Sequence, residues 1–106
     1  MKFEELTQAN LERVLSEREV PIGLRDGIIN YLVRRLPPGH FMCALLENNL
    51  LECFNRADPT AWAAVPNILR FFVNDVPSSC WGTKEKVDAW LNPVERPMND
   101  EVWVRR

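Results

Sequence analysis

Glycine is scarce in this chain, four residues in 106, and no stretch alternates apolar and polar residues for the length of a strand. Hairpins and sheets are therefore not expected, and neither are the glycine-rich loops that cradle phosphates in nucleotide-using enzymes. Cysteine is present three times, at Cys43, Cys53 and Cys80. That number is too low and odd for the disulfide framework of a small secreted module, and the spacing lacks the Cys-x-x-Cys pairs of a structural zinc site. A reducing cytoplasm is the expected compartment. No apolar run approaches the length needed to cross a bilayer, and the opening residues turn acidic and polar at once, so neither a membrane span nor an export signal is expected. Charge of one sign is also missing. Fifteen acidic and thirteen basic side chains leave a net charge of -2, which argues against a nucleic-acid binder resting on excess positive charge.

What the chain does have is apolar residues at helical spacing and eight prolines that punctuate them. Thr7 predicts an N-cap for a first helix carrying Leu11, Val14 and Leu15 on one stripe. Pro21 predicts the first position of a second helix that runs to about Leu36, where Pro37-Pro38 stops it. Between Pro38 and Asp58, Asn48 suits a left-handed helix end, and Asn49 with Glu52 suits a fresh cap, so a break is expected there. Asp58-Pro59 opens a further helix. Pro66 inside it predicts either a short first turn ending near Ala64 or a kink before a main helix of residues 66–75. Thr83 predicts the cap of a last helix with Val87, Trp90 and Leu91 inward. The expected fold is all-α: one compact domain of five or six short helices over residues 1–92, followed by an extended C-terminal arm over 93–106. The apolar arm residue Trp103 is expected to pack on the domain or on a neighbour.

Catalytic machinery is not evident. His40 is the lone histidine, and Cys43, one turn away, lacks a third group to orient a nucleophile and base. No cofactor and no metal are expected. Asp75 is expected to bond backbone amides at the Val76-Pro77 break or to pair with an arginine such as Arg25 or Arg35. Those two arginines project into the apolar sector of the second helix, which reads either as aliphatic stems laid over the core or as cations held for an anionic ligand or a partner's carboxylate. Trp81 reads either as a core plug beside Trp90 or as a stacking platform, with Lys84 nearby for an anion.

Several short motifs recur together: Tyr31 ahead of Pro37-Pro38-Gly39 and Phe41, Asn48 to Leu50, Arg56-Ala57-Asp58, and Asn74 to Gly82 followed by Glu85, Val87 and Trp90. In this pattern residues 25–91 resemble a group of short phage and prophage proteins. The resemblance implies a phage origin and a role against host defences, in the host cytoplasm. The leading expectation is a non-enzymatic protein that docks on a host defence protein, as small anti-CRISPR proteins do, and that forms a homo-oligomer. The alternative is an oligomeric sponge for a cyclic or signalling nucleotide, and a further one is a small helix-turn-helix-like regulator. The binding residues expected are Arg25, Arg35, His40, Trp81, Lys84 and Trp103.

Overall fold

The computed structural model describes residues 1–92, so the expected arm with Trp103 lies outside the described residues. Six helices follow one another: α1 (Gln8–Glu17), α2 (Ile22–Arg34), α3 (His40–Leu46), α4 (Leu50–Arg56), α5 (Pro59–Asp75) and α6 (Lys84–Leu91), with single 3-10 turns at Phe3–Glu5 and Ser78–Cys80. There is no strand among the described residues, and no described helix is long and apolar enough to cross a membrane.

Side-chain caps begin four of the helices. Thr7 accepts from the Asn10 amide, Asn49 from Glu52, Asp58 from Ala61 and Thr83 from Lys86, each satisfying an amide that the first turn leaves without a carbonyl. Asn48 takes the left-handed conformation at φ 62° and separates α3 from α4. Proline placement is less regular. Pro21 is the residue before α2 and not its first member, Pro38 stays outside α3, and α2 ends at Arg34 with Arg35 left-handed at φ 57°. Pro66 does not divide α5, which runs as one helix of 17 residues. Ala61, Ala64, Ile68, Phe71 and Phe72 are buried along one face on both sides of that proline, and such continuous burial outweighs the roughly 3 kcal/mol that an interior proline costs a helix.

The core gathers Leu11 and Leu15 from α1, Ile28 and Tyr31 from α2, Leu46 from α3, Ile68, Phe71 and Phe72 from α5, and Val87 from α6. Two directional bonds cross this apolar interior. The Tyr31 hydroxyl donates to the Cys80 carbonyl at 2.5 Å, and the Trp90 indole N–H donates to the Tyr31 carbonyl at 2.8 Å. Asp75 receives Arg18 in a bidentate pair at 2.8 and 3.1 Å, so its partner comes from the end of α1 and is neither Arg25 nor Arg35. α1 must end beside the end of α5 for this pair to form.

Candidate functional site

A groove of about 480 Å³ opens between the first half of α2 and the Pro38–Met42 segment. Its floor is apolar, with Leu24, Phe41 and Met42, and its rim carries His40 and Arg56. Gly23 and Gly27, one helical turn apart on α2, line the same groove. Neither glycine is there for the backbone. Both have ordinary helical conformation, an added Cβ at Gly23 would touch nothing within 4 Å, and one at Gly27 would meet only the Pro38 Cβ at 3.9 Å. A glycine in a helix interior costs about 0.5–1 kcal/mol relative to alanine, so two of them keep this wall low at some loss of stability.

Arg56 donates through Nε to Glu52 at 2.8 Å. Among the described residues its two terminal amino groups bond to no protein atom, and on this exposed side chain they leave donors of a geometry suited to a carboxylate. His40 is exposed at the start of α3 and adds ring N–H capacity to the same rim.

Four of the other expected binding residues, Arg25, Arg35, Trp81 and Lys84, make contacts within the fold. The Arg35 guanidinium lies 3.5 Å from the centre of the Trp90 ring and donates to the Trp90 carbonyl at 3.1 Å. Its left-handed backbone turns the side chain back over α6. Arg25 donates through Nε to the Val20 carbonyl at 2.7 Å, closing the turn between α1 and α2. Lys84 stands 3.5 Å from Asp88 in an exposed pair one helical turn apart. Trp81 is half-buried against Phe72, ring centres 5.3 Å apart, while Trp90 packs with Phe3 and Tyr31. Of the five expected binding residues that the structure describes, His40 lines the α2–α3 groove, and Arg25 lines a separate one with Glu12, Ile22, Asp26 and Ile29.

Sequence reasoning missed Gly23, Gly27 and Arg56. Two glycines four apart inside a helical pattern are the signal that could have exposed the groove wall, since that spacing stacks them on one face.

Burial acts against the ionised form of the thiols. Burial pushes Cys43 up, and Glu47 pushes it further, with Lys84 opposing. Burial pushes Cys80 up to about 11. Both effects disfavour the thiolate that attack or metal binding requires. No cluster of three metal-binding side chains occurs among the described residues.

Comparisons with family models, with curated proteins and with solved structures give no match.

Proposed function

We propose that this protein is a non-catalytic docking domain that inhibits a host defence protein on behalf of a phage, and that the α2–α3 groove is the surface it uses. The observation that carries this reading is the open glycine wall facing an apolar floor under the Arg56 and His40 donors. Such a groove takes a partner segment with an apolar anchor flanked by a carboxylate: the anchor displaces water over Leu24, Phe41 and Met42, and the carboxylate engages the Arg56 fork. The phage setting rests on the resemblance of residues 25–91.

The test is to express the protein in bacteria whose defence system restricts a phage, and to measure the recovery of plaques. Recovery is expected with the unaltered chain, together with a stoichiometric complex in native mass spectrometry. Gly27→Leu fills the groove from a helical position and is expected to abolish both while leaving the helical circular dichroism intact. Arg56→Glu should do the same. Recovery that survives both substitutions overturns the docking reading, and a nucleotide carried by the purified protein in place of a partner establishes the sponge.

A further inference from the structure

On the side of α4 turned away from Arg56, Leu50 is 68% exposed, Leu51 72% and Phe54 56%. α5 continues the same surface with Trp62 and with Val73, which is 67% exposed. Phe54 and Trp62 meet edge to face at 5.0 Å and 86°, so the two helices present one joined surface. The crease between them, lined by Leu45, Leu50, Cys53, Val65 and Leu69 with Asn48 and Asn49 at one end, holds only about 50 Å³, too little for a small-molecule ligand. At helical spacing Glu52 and Arg56 fall on the opposite side of α4 from Leu50 and Phe54, and Trp62, Val65, Leu69 and Val73 form one uncharged stripe on α5. α4 itself is a helix of seven residues that buries only Cys53, far short of the length at which a helix holds by itself.

We propose that this α4–α5 face is covered by the same face of a second copy of the chain, giving a two-fold dimer. Charge decides for a second copy over a different protein. Across a two-fold axis the same patch meets itself, so a charged patch would set like charges against each other, and the exposed apolar side chains of this face include no charge, Arg70 standing at its edge and turned to Asn67. Interfaces made and broken with other proteins are only as apolar as ordinary surface, whereas homodimer interfaces are more apolar and depleted of charge at their centre. The area also suits. The five side chains offer on the order of 500 Å² of apolar surface, the greater part of the roughly 800 Å² per partner in a standard interface. The α2–α3 groove lies outside this face, and each copy in the dimer keeps its own.

The experiment is sedimentation velocity on the full chain at concentrations up to about 100 μM, with Leu51→Glu and Val73→Glu as variants. Both positions are exposed, so the fold does not depend on them. The unaltered chain is expected to sediment as a dimer, and each variant to raise the dissociation constant at least ~10-fold. Gly27→Leu is expected to dimerise like the unaltered chain. Hydrogen exchange of the unaltered protein should slow in α4 as concentration rises. A chain that stays monomeric throughout overturns the proposal, whether its own C-terminal residues or another protein then covers the face. A dimer that neither glutamate weakens overturns it equally, because the contact is then elsewhere.

Discussion

Three non-glycine residues, Glu19, Arg35 and Asn48, hold a left-handed backbone at φ between 57° and 62°, and they differ in what the side chain returns. An L-residue in this conformation costs about 1–2 kcal/mol, and glycine avoids that cost. Glu19 is exposed, and its part in the fold is its carbonyl, which accepts from Asn67 at 3.2 Å. A glycine there keeps that bond. Glu19→Gly is therefore expected to stabilise the protein by about 1 kcal/mol, a rise in melting temperature of roughly 4–8 °C for a domain of this size. Arg35→Gly gains the same relief but loses the stack on Trp90 and the bond to its carbonyl, a charged hydrogen bond and a cation–π contact worth about 2–4 kcal/mol together. It is expected to lower the melting temperature. Calorimetry on both variants decides this, and a rise in both would show that the Arg35–Trp90 contact contributes nothing net. The αL suitability of Asn48 was legible in the sequence because asparagine favours that conformation. Arg35 and Glu19 were not, because their backbone is set by the chain reversals that follow α2 and α1.

At the scale of the helices, the starts of α1, α4, α5 and α6 were legible because capping is local: an oxygen at one residue meets an amide three residues on. What escaped was whatever depends on a distant surface. Pro66 reads locally as a break or a kink, and the helix continues through it because its buried face is set by the rest of the core. The groove escaped for the same reason, since Pro38 and Phe41 face Gly23 and Gly27 only after the chain folds back between α2 and α3. Pro66 is exposed and lacks the N–H that would bond to the Trp62 carbonyl. Pro66→Ala restores that bond and removes the ring's crowding of the preceding turn, and is expected to stabilise the protein by about 1–3 kcal/mol. Urea unfolding measures it. A destabilised variant would mean that α5 needs the proline's shape to fit its neighbours.

For the molecule as a whole, the acids of the interior set an alkaline limit. Burial raises Tyr31 above the ordinary phenol range, pushes Cys80 up to about 11 and raises Cys43 and Cys53. Each group is therefore neutral in the fold at a pH where the unfolded chain has already lost the proton. Stability is complete below the ordinary thiol pKa, near 8.5, and is lost as pH climbs toward 11, Cys80 contributing on the order of 2 kcal/mol. Melting temperatures measured from pH 7 to about 10.5 should fall on the alkaline side, and Cys80→Ala should flatten part of the fall. A level profile would contradict the burial of these groups. The Arg18–Asp75 pair belongs to this scale as well. A residue reading offers Asp75 an arginine such as Arg25 or Arg35, and which arginine it meets is fixed by the course of the whole chain across 57 positions.

Among the described residues Trp90 is the last buried one in chain order, and its indole is bound to a carbonyl 59 positions earlier. During synthesis the first five helices are therefore made before the residue that completes their interior exists. Until then the Tyr31 carbonyl has no indole donor and Arg35 has no ring to lie on. A chain truncated before residue 90 should accordingly be readily cut by proteases, and the same helices should resist cleavage in the full chain.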